Sequence, residues 1–364
     1  MSEHHFRYVF LGLSITSSLE NAHATTYRGL LRQLDERGHQ VTFLERELPL
    51  FAAHRDLPDP SFARTARYGS FEELVDRHRA AVRDADLVVV GSCVPDGARV
   101  GAWVQGLAPG RSAFYDLDTP ITLSGLARDD GSCEYLTREL VSRYSLYLSA
   151  TGGPMLDVLR RKYGATFVRP LYGSADPDEY HPAPLEPELD LGYLGAYRSD
   201  RQLGLQRLLL DSARRSERRR FVVAGTQYPA SVVWPANVAH VPHVEPSAHR
   251  RFYANQRFTL NVTRQAMIEA GWSPSARLLR YLRDIGEDQR RAIGSAARKR
   301  FEKEHTAMHR AESLERYTRD LLELEAPKRR WEVAKSRSVA EASRRHSTMA
   351  PARAHAMSVG PEKK

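Results

Sequence analysis

The sequence predicts two doubly wound α/β domains joined by a short linker, the second domain incomplete. Three observations carry this reading. Up to about Tyr172, strand-like and helix-like runs alternate and give about six strands. A Pro- and acid-rich stretch follows, Asp176-Pro177-Asp178-Glu179-Tyr180-His181-Pro182 and on to Asp190, which reads as a linker. Beyond it the alternation resumes but stops at about four strands, at Phe258–Val262, with nothing strand-like downstream. The expected boundaries are 1–175, a linker at 176–189, a second domain at 190–326 and a tail at 327–364. A chain of 364 residues, 41% hydrophobic, gives each domain enough apolar residues for a core.

Tyr8–Leu13 is the first buried strand, followed by a polar loop, Ser14 to His23. An amphipathic helix comes next, with Tyr27, Leu30, Leu31 and Leu34 on one face. Gly38 sits where a left-handed residue would end that helix, and Val41–Leu44 is the next strand. Ser70-Phe71-Glu72-Glu73 is a capping box opening a helix whose apolar face is Phe71, Leu74, Val75, Ala81 and Val82. Leu87–Val90 is wholly apolar, as a parallel strand buried on both faces requires. Ala113–Tyr115 and Leu146–Ser149 repeat the theme. A helix from Pro154 to Tyr163 ends at Gly164, and Phe167–Leu171 closes the domain.

The second domain is expected to hold strands at Leu191–Leu194, Phe221–Ala224, near Val241 and at Phe258–Val262. Helices are expected at Gln202–Ala213 and around Ala248–Asn255. From Arg277 to Leu324 the pattern is helical throughout. Alternation of this kind specifies parallel sheets, whose ligands lie outside the carboxyl ends of the strands.

Composition narrows the function. No apolar run is long enough to span a bilayer and the N-terminus lacks a signal-peptide core, so a cytoplasmic protein is expected. Cys93 and Cys133 are too few for a disulfide framework or a metal cluster. The net charge of +9 sits mostly in the tail, where 327–364 holds ten Lys/Arg against three Glu. That argues against a specific nucleic-acid partner and for a disordered basic extension.

Candidate chemistry lies in the strand-to-helix loops. The first has Gly12 but no G-x-G-x-x-G and no G-K-[ST], which disfavours nicotinamide, flavin and P-loop chemistry. It ends Glu20-Asn21-Ala22-His23-Ala24-Thr25-Thr26-Tyr27-Arg28. His23 is placed either as a general base or as a hydrogen-bonding group at a helix start capped by Thr25 or Thr26. Asp116 and Asp118 end a strand with D-x-D spacing, beside a turn at Thr119-Pro120.

The Glu20–Arg28 loop, the run Leu34–Leu44, and Gly173-Ser174-Ala175-Asp176 with Tyr180 and Pro182 together resemble the two-domain GT-B glycosyltransferases. The chain is similar in particular to the CgeB-type, spore-maturation-protein-like members. Their pattern is echoed by Tyr115-Asp116-Leu117-Asp118-Thr119-Pro120, by Asp190–Gly195 with Tyr197, and by Leu260-Asn261-Val262-Thr263-Arg264 followed by Gly271–Ser275. The resemblance implies two Rossmann-like domains. It also implies sugar transfer from a nucleoside-diphosphate donor, held mainly by the second domain, to an acceptor held mainly by the first. No cofactor and no bound metal are implied.

On that basis Asp116 and Asp118 would orient His23 or bind acceptor hydroxyls. At the donor, Gly195, Tyr197, Arg198 and Arg201 on one loop, Gly225 and Gln227 on the next, and Arg264, Ser273 and Ser275 on the last would approach the nucleotide and its diphosphate. Trp272 is placed to stack on a base or to pack locally.

The chain departs from the family after Leu278. That residue runs directly into Leu279-Arg280-Tyr281-Leu282-Arg283-Asp284, so about two β–α units, roughly fifty residues, are expected to be missing. The family's ribose-binding Glu then has no counterpart, and a catalytically impaired, ligand-binding paralogue becomes the alternative reading.

Overall fold

A computed structural model describes residues 5–262 and 278–347, with side chains over 5–262 and 281–327. The first seven-stranded sheet uses β1 (Arg7–Gly12), β2 (Gln40–Arg46), β3 (Arg64–Tyr68), β4 (Leu87–Gly91) and β5 (Ser112–Asp116). A two-residue hairpin, β6 (Ser132–Cys133) with β7 (Leu136–Thr137), stands apart; β8 (Leu146–Ser149) and β9 (Val168–Pro170) complete the sheet. Its order is β3-β2-β1-β4-β5-β8-β9, and every pairing in it is parallel.

The two-residue period of each strand sorts its side chains between two cores. Val9 and Leu11 join Val88 and Val90 on one face, while Tyr8 and Phe10 join Leu87 and Val89 on the other. Helices α1 (Ala22–Glu36), α2 (Pro49–Ala53), α3 (Phe71–Asp84), α4 (Gly97–Leu107), α5 (Thr119–Leu126), α6 (Arg138–Arg143) and α7 (Pro154–Tyr163) connect the strands.

The capping box forms: Ser70 Oγ accepts from Glu73 N at 3.2 Å, and the Glu73 carboxylate reaches back to Gly69 N at 2.7 Å. Gly38 and Gly164 take left-handed φ of 83° and 71° at the ends of α1 and α7. Two expectations change here. Ala81 is exposed, not part of the apolar face of α3. Strand β3 was unforeseen because Arg-Thr-Ala-Arg-Tyr is polar, which a sheet edge tolerates.

The second sheet has four parallel strands: β10 (Leu189–Leu194), β11 (Phe221–Ala224), β12 (Val238–Val241) and β13 (Gln256–Thr259), in the order β12-β11-β10-β13. The last begins two residues before the expected Phe258 and ends at Thr259. After β10, α8 (Ser199–Leu205), a π-helical stretch (Gln206–Leu210) and α9 (Asp211–Arg214) follow without a break. α10 is Pro246–Ala254, α11 Leu278–Asp284 and α12 Glu287–Glu304.

The final helix, α13 (Ala307–Ser347), corrects two boundaries. Its Ala311, Leu314, Tyr317 and Leu321, at helical spacing, bury against Phe6, Tyr8 and Leu34, so the chain returns to the first domain well before 326. The expected disordered tail instead continues the helix through Pro327 as far as Ser347. An interior proline costs about 3 kcal/mol, which the flanking Ala, Glu, Lys and Arg, all good helix formers, can offset.

The linker is also tied down. Arg32 on α1 binds the buried Asp176 carboxylate and reaches Glu179 at 2.9 Å.

Candidate active site

In both sheets the chain turns back at one place: between β1 and β4, and between β10 and β13. At such switch points neighbouring loops diverge and leave a crevice outside the carboxyl ends of the strands. The first crevice collects His23 after β1, Ser92 and Cys93 after β4, and Asp116 and Asp118 at and after β5.

The loop before α1 is braced from below. The buried Glu45 carboxylate accepts from Ile15 N at 2.7 Å and from the Thr16 hydroxyl. Asn21 Nδ2 donates to the carbonyls of Ser14 and Ser17 at 2.8 and 3.0 Å. Arg28 donates to Ile15 O at 2.8 Å and forks onto Asp56 at 2.7 and 3.0 Å. Burial pushes the Asp56 carboxyl up, but its bonds from Arg28 and Ser18 outweigh that and hold it below its ordinary value. Helix α1 begins at Ala22, so Thr25 and Thr26 lie inside it and cap nothing; His23 stands in its first turn.

His23 Nε2 and Asp118 Oδ2 are 2.8 Å apart. A carboxylate only accepts, so Nε2 carries the proton of this bond, and in the neutral imidazole the lone pair is on Nδ1. Nδ1 is buried and has no hydrogen-bond partner among the described residues. Leaving such an atom unmatched costs about 1–3 kcal/mol.

Asp118 is held by more than the imidazole. Ser92 Oγ donates to the same oxygen at 3.3 Å, and Cys93 Sγ lies 3.6 Å from it. Cys93 adopts φ 64°, a conformation few non-glycine residues take, and this aims its thiol at Asp118. Burial, then the Asp118 charge, pushes the Cys93 thiol up and keeps it neutral.

Asp116 differs from its expected place. It is completely buried and cannot touch an acceptor hydroxyl. Its Oδ1 accepts from Asp118 N at 3.1 Å and Thr122 Oγ1 at 2.7 Å, while Oδ2 accepts from Tyr147 OH at 2.7 Å. It therefore fixes the backbone that carries Asp118. Burial raises it to about 6 against the pull of these hydrogen bonds, and the Asp118 charge adds to the rise.

The D-x-D pair does not converge on one point, but His23, Cys93 and Asp118 offer ligand atoms within 4.8 Å of one another. A metal fits this set poorly as it stands. Nitrogen and oxygen ligands on a tetrahedral zinc stand roughly 3.4 Å apart, whereas the imidazole and carboxylate are at hydrogen-bond spacing, 2.8 Å.

In the second crevice the loops after β10 and β11 interlock. Gly195 N donates to Ala224 O at 2.8 Å and Tyr197 N to Thr226 O at 2.9 Å. A Cβ on Gly225, at φ 152°, would stand 2.0 Å from Gly195 O, so only glycine permits this approach. Tyr197 packs edge-on against Tyr228 with centroids 5.7 Å apart, and Tyr228 OH donates to Gly195 O at 3.1 Å.

Arg198 is exposed at the cap position of α8. Arg201 is half-buried, its Nε without a partner among the described residues. Gln227, at φ 64°, sends its amide across to Glu20. The expected donor residues Arg264, Ser273 and Ser275, with Trp272, lie outside the described residues, as does most of the region next to the expected deletion. Sequence reading missed Ser92, Cys93 and Glu45; the only signal was their position at or just past strand ends.

Residues 201–283 match a family model described as glycosyl transferase-like. The fold is that of solved GT-B glycosyltransferases. Sucrose-phosphate synthase from Thermosynechococcus elongatus matches with a TM-score of 0.60 at 12% identity, covering 87% of this chain and 99% of that one. A glycosyltransferase from Rickettsia africae matches with a TM-score of 0.57 at 10% identity, covering 87% and 99%. No curated protein matches the sequence. Among the described residues, no helix is long and apolar enough to cross a membrane.

Proposed function

We propose that this chain transfers a sugar from a nucleoside-diphosphate donor to an acceptor hydroxyl at His23, by a metal-independent, inverting displacement. The unpartnered Nδ1 of His23 carries this reading, because a neutral imidazole oriented through its other nitrogen is suited to accept a proton. The acceptor hydroxyl would donate to Nδ1, and its oxygen would attack the anomeric carbon as the diphosphate leaves from the opposite face. Asp118 would stabilise the imidazolium that forms, and Asp116 would hold Asp118 in place without touching substrate.

Arg201, with Arg198 at the start of α8, would meet the leaving diphosphate. The glycine-spaced loops at Gly195 and Gly225, with Tyr197 and Gln227, would let the donor approach backbone N–H groups. Arg264, Ser273 and Ser275 are assigned to the same donor site by resemblance alone.

The runner-up is a ligand-binding relative with impaired catalysis. A second sheet of four strands among the described residues favours it, since the expected omission would remove donor contacts. Thermal stabilisation by UDP-, GDP- and dTDP-sugars separates the two. A saturable shift with one nucleotide supports a working donor site, and silence from all three families sinks the enzyme reading.

A further inference from the structure

Glu20 and Gln227 come from different domains and touch. Both are non-glycine residues held in the left-handed region, at φ 55° and 64°. Thr226 Oγ1 donates to Glu20 Oε1 at 2.7 Å, and the Gln227 side-chain amide donates to Oε2. A carboxylate thus fills the hydrogen-bonding groups of the loop after β11, at the carboxyl end of a parallel strand where a ligand anion would be met. The left-handed backbone disfavours glutamate and suits glycine, so the side chain is presented there against the local backbone preference.

We infer that the Glu20 carboxylate occupies the position of an anionic group of the donor and competes with it for the Thr226–Gln227 loop. This rests on the donor reading of the second domain. Glu20 is then a specificity-determining residue of a particular kind. It sets how strongly a phosphate must bind before the cleft admits it, and it excludes neutral ligands that cannot displace a carboxylate. Removing its charge frees two donors for a phosphate oxygen and ends the repulsion between two anions. Replacement by glycine also relieves the backbone.

The test measures binding of UDP, GDP, dTDP and inorganic pyrophosphate to the full chain by calorimetry, in the unaltered protein and in E20Q and E20G. Thermal melts establish that each variant is folded. E20G is expected to bind pyrophosphate and one nucleoside diphosphate at least about tenfold tighter than the unaltered chain. E20Q, which keeps the shape and loses the charge, is expected to fall between them. Equal or weaker binding of a nucleoside diphosphate by folded E20G overturns the competition and leaves the donor reading standing. If none of the four binds any of the three proteins, both readings fail together.

Discussion

Asp116→Asn is the perturbation whose size follows most directly from the structure. The carboxyl has no solvent contact, and its value near 6 stands above the 3.8 of a free aspartate. In the folded chain it keeps its proton to about pH 6; in the unfolded chain it loses it near 3.8. Between those values the folded state binds more protons, so stability falls as pH rises. At about 1.36 kcal/mol per unit, the full penalty above pH 6 is about 3 kcal/mol, of which about 2 kcal/mol appears between about pH 4.5 and 7.5.

Asparagine carries no charge to bury. Its Oδ1 keeps the bonds from Asp118 N and Thr122, and the Tyr147 hydroxyl can turn to accept from the new amide. Urea denaturation of both proteins across that range should therefore show D116N gaining about 2 kcal/mol on the unaltered chain, with similar m-values. A gap that stays flat refutes the burial argument. A gap that closes as pH rises would show that the three donors hold the carboxylate below its ordinary value instead.

Three further outcomes follow from the same contacts. H23A and D118N should each lower turnover by about 10²–10⁴-fold while leaving nucleotide binding unchanged in calorimetry; a variant that turns over normally removes His23 from the role of base. G225A places a Cβ against Gly195 O and should cost about 1–3 kcal/mol in chemical denaturation together with the loss of nucleotide binding; unchanged binding would detach the loop from the donor site. E315A deletes a buried carboxylate that accepts from Arg37 at 2.9 Å and meets His39 at 2.8 Å, leaving both without that partner, and should cost about 3–5 kcal/mol by the same measurement; a loss under about 1 kcal/mol would mean that this ion-pair cluster does not hold α13 in place.

The sequence by itself determined the strand-and-helix alternation, because a parallel strand buried on both faces must be written as a run such as Leu87–Val90, and a packed helix as Tyr27, Leu30, Leu31 and Leu34. It determined the helix ends at Gly38 and Gly164, where the backbone needs a left-handed residue. It also placed the two aspartates at a strand end and His23 at the start of the helix after the first strand, where chemistry is sought.

Only the tertiary structure decided which of these residues meet. Asp118 faces His23 and Asp116 turns away because the strand ends at Asp116: two residues on, Asp118 has left the extended backbone for the start of α5, while Asp116 is buried against Tyr147 and Thr122. Polar β3 became a strand through pairing with β2, and α13 crossed back because its apolar stripe found the uncovered face of the first sheet. The contact between Glu20 and Gln227 joins positions 207 residues apart, and no local pattern encodes a pairing of that range.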